Sequence, residues 1–182
     1  MRSLILLFIL VASGAKASGL KIDIAGEGAN GEITIDLFEE TAPQHAERIM
    51  ALATEGAYDG VVFHRVIDGF MAQTGDVEYG KVGSDISMAG RGRSSHPDLP
   101  AEFSDLPYDR GVVGMARSQN PNSANSQFFI MFAEGYFLNG QYTVVGKVTS
   151  GMDVVDTIKR GKGQNGAVLG PPDIMTKVSV TP

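Results

Sequence analysis

Residues 63–76 read F-H-R-V-I-D-G-F-M-A-Q-T-G-D and hold one permanently charged side chain, Arg65, within an apolar strand pattern. The alternation of a β-strand predicts that four side chains share one face: Val61, Phe63, Arg65 and Ile67. Asp68-Gly69 predicts a tight turn, after which residues 70–74 return as a second strand. An arginine among apolar neighbours is either a paired structural residue or part of a functional site.

The composition is that of an ordinary globular domain. The chain has 182 residues, of which 43% are apolar and 20% charged. A net charge of −6 argues against a nucleic-acid partner, because phosphate binding needs concentrated lysine and arginine. The absence of cysteine excludes disulfides, thiolate chemistry and cysteine-ligated metals.

The first 17 residues have the pattern of a secretory signal peptide. A short basic start precedes the apolar run 4–11, and Ala15-Lys16-Ala17 matches an A-x-A cleavage site. We expect cleavage after Ala17, which leaves residues 18–182 as a single domain in the periplasm of a bacterium. The alternative, an uncleaved membrane anchor, is disfavoured because a bilayer span needs ~20 apolar residues.

Hydrophobic periodicity predicts about eight strands and two helices. The strands are expected at 20–24, 32–38, 61–67, 70–74, 111–116, 127–132, 142–148 and 174–180. One helix is expected to begin at Thr41 as N-cap with Pro43 in its first turn, and another to span 152–159. The strands do not alternate regularly with helices. This order favours a mainly β fold, a closed eight-stranded antiparallel β-barrel capped by two α-helices.

The predicted strand 61–67 and the stretch 126–132 carry apolar residues at both odd and even positions, so both faces of each strand are apolar. A barrel strand with one face in water has apolar residues at every second position only. The second apolar face of these strands must therefore be covered or form a pocket. Phe128 and Phe129 are expected on opposite faces, as are Phe70 and Met71. We infer that one set fills the barrel and the other lines an external groove.

The three histidines, His45, His64 and His96, are far apart in sequence and give no pattern of a metal site or a catalytic triad. His64 is expected to have a structural role, hydrogen-bonded to backbone. An apolar groove with one arginine and a few amides suits peptide binding, or a reaction without proton transfer. Prolyl cis–trans isomerisation is such a reaction, because its barrier is the loss of amide resonance.

Three blocks of the sequence resemble the cyclophilin-type peptidyl-prolyl isomerases. They are residues 63–76, the segment from Gly114 to Ile130, and the segment from Phe137 to Val148. The resemblance implies a capped barrel with Arg65 as the catalytic residue and a proline socket of Phe70, Met71, Phe129 and Leu138. It also implies that Gln73 bonds the substrate backbone and that Ala116 and the following segment contact the residues before proline. Further substrate-binding positions are Arg117, Gln127, Phe137 and Tyr142.

The resemblance also sets expectations about ligands. Phe137 stands where many eukaryotic members carry tryptophan, so only weak cyclosporin binding is expected. The resemblance implies an isomerase without cofactor or metal that assists exported, proline-containing polypeptides to fold. We expect a monomer, without nucleic-acid or membrane partner after signal removal. The alternative is a non-catalytic peptide-binding holdase chaperone that uses the same groove.

Overall fold

The computed structural model describes residues 18–182, in which nine strands form one antiparallel sheet. The predicted signal peptide lies outside the described residues. The strands are β1 Gly19–Ala25, β2 Gly31–Leu37, β3 Val61–Val62, β4 Arg65–Ile67, β5 Met71–Thr74, β6 Val112–Met115, β7 Phe128–Met131, β8 Val144–Ser150 and β9 Ile174–Thr181. The helices are α1 Pro43–Thr54 and α2 Met152–Thr157, with short 3₁₀ turns at Ile86–Met88 and Tyr136–Leu138. The predicted mainly β antiparallel architecture with two helices is confirmed.

The sheet curls so that its two edges meet. Its strand order is β3-β9-β1-β2-β8-β6-β7-β5-β4, and the edge strands β3 and β4 are consecutive in the chain. Only Phe63 and His64 separate them. The Thr74 hydroxyl of β5 donates to the Val62 carbonyl of β3 at 2.9 Å, which links the edge strand β3 to the neighbour of the edge strand β4. The predicted single strand 61–67 is therefore wrong, and nine strands replace the expected eight.

The interruption between β3 and β4 changes which side chains face the core. Val61, Phe63 and Val66 all belong to the main hydrophobic core, a spacing that breaks the two-residue period of a strand. The Phe63 amide donates to the Asp173 carbonyl, whereas Arg65 already pairs with Gln73 of β5. The prediction that Val61, Phe63, Arg65 and Ile67 share one face is wrong, because this shift turns Arg65 away from the core.

Helix α1 begins one residue later than predicted. Ala42 occupies the N-cap position without a side-chain hydrogen bond, so the expected Thr41 cap is wrong, while Pro43 stands in the first turn as expected. The Glu102 carboxylate caps the helix instead, accepting from the backbone amides of Gln44 and His45 at 3.2 Å each. This long-range cap cannot be seen in the local sequence.

The apolar residues form two clusters. Phe128 packs in the main core and Phe129 in a smaller second cluster, which confirms that β7 is apolar on both faces. Met71 belongs to the second cluster and Phe70 packs against it. The expectation that these two point to opposite faces is wrong, since Phe70 lies in the turn before β5. Within residues 18–182 no helix is long and apolar enough to cross a membrane.

Asp173 joins three distant segments just before β9. Its side chain is 1% exposed, and its carboxylate accepts from the amides of Gly28 at 2.9 Å and Lys159 at 2.7 Å. A Cβ on Gly26 would lie 2.0 Å from its Oδ1 atom. The β1–β2 loop, the end of α2 and the start of β9 are thus held by one buried carboxylate.

We expect Asp173→Ala to lower the free energy of unfolding by about 2–4 kcal/mol, because two buried amides lose a charged acceptor. Urea unfolding followed by circular dichroism measures this loss. Asp105→Ala is the matched control, since Asp105 is exposed, and it should change stability by less than about 0.5 kcal/mol. Equal midpoints for the two variants would contradict the role assigned to Asp173.

Candidate active site

A cavity of about 240 Å³, the main pocket, opens beside the second apolar cluster. Ten of the eleven predicted site residues line it: Arg65, Phe70, Met71, Gln73, Ala116, Arg117, Phe129, Phe137, Leu138 and Tyr142. The eleventh, Gln127, lies in an adjoining cavity of about 270 Å³, the side pocket. The structure thus brings all eleven to one surface, and their roles toward substrate stay predictions.

The floor of the main pocket is apolar and rigidly packed. Met71, Phe129 and Leu138 are each less than 8% exposed. The Phe129 ring stacks on Tyr108 at 5.8 Å and meets Tyr142 edge-on at 6.0 Å. A Cβ on Gly114 would lie 2.5 Å from the Phe129 ring and 2.6 Å from the Tyr108 hydroxyl. Glycine at this position therefore lets the two rings stack under the pocket.

Phe137 occupies a different position from the other aromatic side chains. Its side chain is 67% exposed and contacts the Phe70 ring at a centroid distance of 5.4 Å. The two rings form an apolar edge of the main pocket, beside the buried residues Met71, Phe129 and Leu138. Phe137 can cover a bound segment from one side.

Arg65 is half-buried at the edge of this pocket and is held by hydrogen bonds to two oxygens, with a weaker contact to the Met71 sulfur at 4.0 Å. Its Nη1 donates to Gln73 Oε1 at 3.1 Å, and its Nε donates to the carbonyl of Asn165 at 2.9 Å. Partial burial lowers the pKa of its guanidinium, an effect that the nearby Tyr142 opposes, and the group stays charged at neutral pH. Within residues 18–182 no carboxylate pairs with it. The geometry provides a fixed, un-neutralised donor.

A chain of amides links Arg65 to the side pocket. Gln73 Nε2 donates to Gln127 Oε1 at 2.9 Å, and Gln127 Nε2 donates to the Gly92 carbonyl at 2.8 Å. Gln73 therefore uses both ends of its amide within the protein. One N–H and one lone pair remain for a ligand. Gln73 therefore orients Arg65 through this chain.

The segment 161–168 supports Arg65 from the other side, which the sequence analysis missed. The Val66 amide donates to Gly166 and the Gly161 amide donates to Val66, so the segment runs beside β4. Gly166 has φ +68°, and a Cβ there would lie 2.4 Å from the Ile67 side chain. In the sequence, only the high density of glycines pointed to a close approach of this segment. The contact itself left no pattern in the side chains, because it is made by the backbone carbonyl of Asn165.

Asp76, the last residue of the 63–76 stretch, shapes the side pocket. Its carboxylate is fully buried and accepts from four backbone amides, those of Glu78, Tyr79, Gly90 and Gly92. A Cβ on Gly92 would lie 2.2 Å from its Oδ1 atom. Asp76 thus fixes the loop that forms one wall of the side pocket.

His64 does not make the backbone hydrogen bond that the sequence suggested. Both of its ring nitrogens are buried without a hydrogen-bond partner in the described part of the chain. Burial lowers the pKa of His64 to about 4; the charge of Arg65 adds to this shift, and the nearby Asp76 carboxylate and Val62 carbonyl oppose it. The ring beside Arg65 is therefore neutral at neutral pH.

The other two histidines lie away from both pockets. His45 is buried and its Nδ1 is 2.6 Å from Glu102, while His96 contacts Glu55 at 3.2 Å. Among residues 18–182 there is also no group of three or more His, Cys, Asp or Glu side chains that could hold a metal. The site consists of an apolar pocket, one oriented guanidinium and a chain of amides.

A family model described as "Cyclophilin type peptidyl-prolyl cis-trans isomerase/CLD" matches residues 21–180. The chain belongs to this family. It is a cyclophilin-type peptidyl-prolyl cis-trans isomerase, an enzyme class that works without a cofactor. The resemblance seen in residues 63–76 and the two later blocks is thereby confirmed.

Two similar proteins, one bacterial and one from a plant, are named as peptidyl-prolyl cis-trans isomerases. The chain is 62% identical over 149 residues to the "Probable peptidyl-prolyl cis-trans isomerase" of Brucella suis biovar 1, covering 80% of this chain and 76% of that protein. It is 39% identical over 136 residues to "Peptidyl-prolyl cis-trans isomerase CYP18-1" of Arabidopsis thaliana, covering 71% and 78%.

Solved structures share the fold. A Cryptosporidium parvum cyclophilin type peptidyl-prolyl cis-trans isomerase superposes with a TM-score of 0.75 at 24% identity, covering 92% of this chain and 99% of that chain. A second structure of that protein, determined in the presence of the dipeptide Ala-Pro, gives 0.73 at 26% identity, covering 90% and 99%.

We expect the folded protein to lose stability between pH 6.5 and about 4 in part through His64. In this range the unfolded chain binds a proton that the folded His64 does not, so falling pH favours unfolding. His64→Leu should remove on the order of 2–3 kcal/mol of this pH dependence. Urea unfolding at pH 7.5 and pH 4.5 measures it; the same difference in both proteins would contradict the assignment.

Proposed function

We propose that the protein accelerates cis–trans isomerisation of Xaa-Pro bonds in exported proteins, with Arg65 as its catalytic residue. The observation that carries the proposal is the un-neutralised guanidinium of Arg65, oriented by Gln73 and Asn165 at the edge of an apolar pocket. Such a site binds an apolar ring and presents a cationic donor beside it.

The chemistry needs no proton transfer. The barrier of roughly 18–20 kcal/mol arises because twisting the C–N bond destroys amide resonance. In the twisted state the prolyl nitrogen becomes pyramidal and carries a lone pair, which a donor can stabilise. In either planar state this lone pair is delocalised and a poor acceptor. Arg65 therefore binds the twisted state better than the planar ones, which is the condition for catalysis.

The pocket walls orient the proline ring of the substrate relative to Arg65. The proline ring packs on Met71, Phe129 and Leu138, with Phe137 and Phe70 closing over it. The amide chain through Gln73 keeps the Arg65 guanidinium from turning toward solvent. Because the donor is positioned before substrate arrives, little reorganisation is needed in the transition state.

Export of the protein is supported by its sequence. The pattern of residues 1–17 fits a signal peptide cleaved after Ala17, and the mature domain would then act as a monomer in the periplasm. Slow Xaa-Pro isomerisation limits the folding of many polypeptides, so the clients are proline-containing exported chains. That the related Cryptosporidium parvum protein was studied with Ala-Pro supports a proline-containing ligand.

A second candidate function is a holdase that binds unfolded segments without isomerising them. The exposed Phe137 ring and the open apolar pocket favour it, because both can bind extended chain. The two functions are separated by catalysis: a pure holdase protects an unfolding client from aggregation and leaves the isomerisation rate of a peptide at background.

We expect Arg65→Ala to lower kcat/KM for an Ala-Pro peptide at least tenfold, about 1.4 kcal/mol, because the donor for the prolyl nitrogen is lost. NMR exchange spectroscopy on the peptide measures the rate without a coupling enzyme. Arg110→Ala is the matched control, since Arg110 pairs with Asp156 outside both pockets, and it should keep the wild-type rate.

Arg65→Lys tests whether charge alone suffices. Lysine has a compact ammonium without the planar fork that contacts both Gln73 and Asn165, so it should recover only a small part of the lost rate. Equal rates for wild type and Arg65→Ala would refute the mechanism. A wild-type rate at background, together with protection of a client from aggregation, would favour the holdase.

Export is tested by expressing the full chain in a Gram-negative bacterium and fractionating the cells. We expect the periplasmic protein to begin at Ser18 by mass spectrometry, because cleavage follows Ala17. Retention of residues 1–17 on a membrane-bound product would instead support the uncleaved anchor.

A further inference from the structure

We propose that the side pocket binds an acidic side chain of the substrate, so that the enzyme prefers Xaa-Pro segments with Asp or Glu upstream of the proline. The inference rests on the proposed function, because it assigns a substrate class to the same binding surface. It is carried by the charges that line the side pocket and by the way the structure holds them.

The two pockets are neighbours along one groove. Gln73, Ala116 and Arg117 line both of them, so a chain whose proline occupies the main pocket continues directly past the side pocket. An extended peptide advances ~3.3 Å per residue, which allows one of the first few residues beside the proline to place its side chain there. We place that residue before the proline, an assignment that the peptide set below tests position by position.

The side pocket is lined by three arginines, Arg91, Arg93 and Arg117, and by no acidic side chain. Arg93 is paired with Asp98 at 3.1 Å. Arg91 is exposed and, within residues 18–182, has no carboxylate partner. In the part of the chain that the structure describes, Arg117 donates to the carbonyls of Ser118, Gln119 and Gln141 and to no carboxylate. In a chain with a net charge of −6, the side pocket thus carries two guanidinium groups, those of Arg91 and Arg117, that pair with no carboxylate among residues 18–182.

Arg117 is fixed in place between the pockets. Its guanidinium donates to the Ser118 carbonyl at 2.9 Å and the Gln141 carbonyl at 2.8 Å, and it lies 4.2 Å from the centre of the Tyr142 ring. Its charge therefore stays at the junction, where no carboxylate of residues 18–182 pairs with it. With Arg65 on one side and Arg91 on the other, three un-neutralised guanidinium groups follow the groove.

The loop that carries Arg91 and Arg93 is anchored at both ends. Asp76 binds the amides of Gly90 and Gly92 on one side. On the other side, Asn125 Oδ1 accepts from the Ser94 amide at 2.8 Å, and its Nδ2 donates to the His96 carbonyl at 2.9 Å. Asn125 is 6% exposed, so these bonds are protected from water. The backbone that carries the two arginines is therefore ordered before a carboxylate enters the pocket, which limits the backbone entropy lost on binding.

The size of the preference follows from partial solvent exposure. Ion pairs at exposed sites are weak and screened by salt, and two cations acting together add to one another. We expect a peptide with glutamate in the side pocket to have a kcat/KM about fivefold above its glutamine counterpart. A lysine peptide should fall below both.

The experiment uses a set of proline peptides in which Glu, Gln or Lys occupies each of the three positions before proline in turn. NMR exchange gives kcat/KM for the mature protein at low salt and at about 1 M NaCl. One upstream position should show the fivefold Glu-over-Gln ratio, and high salt should reduce that ratio toward one because the Debye length falls to ~3 Å.

Arg91→Gln should lower the Glu-over-Gln ratio at that position at least twofold. Arg91 makes no side-chain hydrogen bond in the described residues, so the variant is expected to fold, which an NMR spectrum checks. The matched control is Lys147→Gln, which removes one positive charge from an exposed position of β8 outside both pockets and should keep the ratio. Equal ratios for the two variants would overturn the role of Arg91.

The two proposals fail in different ways. If every peptide isomerises equally fast at all three positions, the acidic preference is wrong and the proposed function stands. If no peptide isomerises above background, the proposed function itself is wrong. A Glu preference that survives high salt and Arg91→Gln would also overturn the inference, because the selecting group would not be this charge cluster.

Discussion

The guanidinium of Arg65 is half-buried beside an apolar pocket, and backbone and amide oxygens hold it in place of a carboxylate. This constraint explains much of the surrounding structure. A carboxylate partner would anchor the side chain but would also neutralise the charge and compete for its donors. The Gln73 amide and the Asn165 carbonyl fix the direction of the group while leaving its charge available to a ligand.

Placing Arg65 there requires an interruption of the sheet. The break between β3 and β4 leaves Val61, Phe63 and Val66 in the main core and turns Arg65 outward. The two edges of the curled sheet, β3 and β4, are joined by the chain at this point, so the position of Arg65 depends on how the sheet curls. The glycine-rich segment 161–168 then packs against β4, since only residues without a side chain permit so close an approach.

The hydrogen bonds that hold Arg65 continue to the side pocket. Arg65, Gln73, Gln127 and the Gly92 carbonyl form one chain of hydrogen bonds, and Asp76 holds the Gly92 amide. The 63–76 stretch thus contributes both the oriented cation and the anchor for the neighbouring loop. A substitution in this chain is expected to disturb both pockets together, because each amide orients the next one.

Local patterns in the sequence predicted most strands and both helices, and the resemblance to the cyclophilin-type isomerases supplied the side chains that line the main pocket. They failed where the structure depends on contacts between distant segments. The division of 61–67, the Glu102 cap on α1 and the Asn165 carbonyl on Arg65 all come from residues far apart in the chain. The unpartnered ring of His64 was missed for the same reason, because its surroundings are set by tertiary packing.

The central claim is that Arg65 acts directly on the prolyl nitrogen of a ring held in the main pocket. A crystal structure of the protein with a bound Ala-Pro peptide tests it most directly. We expect the proline ring on Met71, Phe129 and Leu138, with an Arg65 nitrogen within hydrogen-bonding reach of the Ala-Pro peptide group. A proline ring seated elsewhere, or an Arg65 side chain turned away toward solvent, would contradict it.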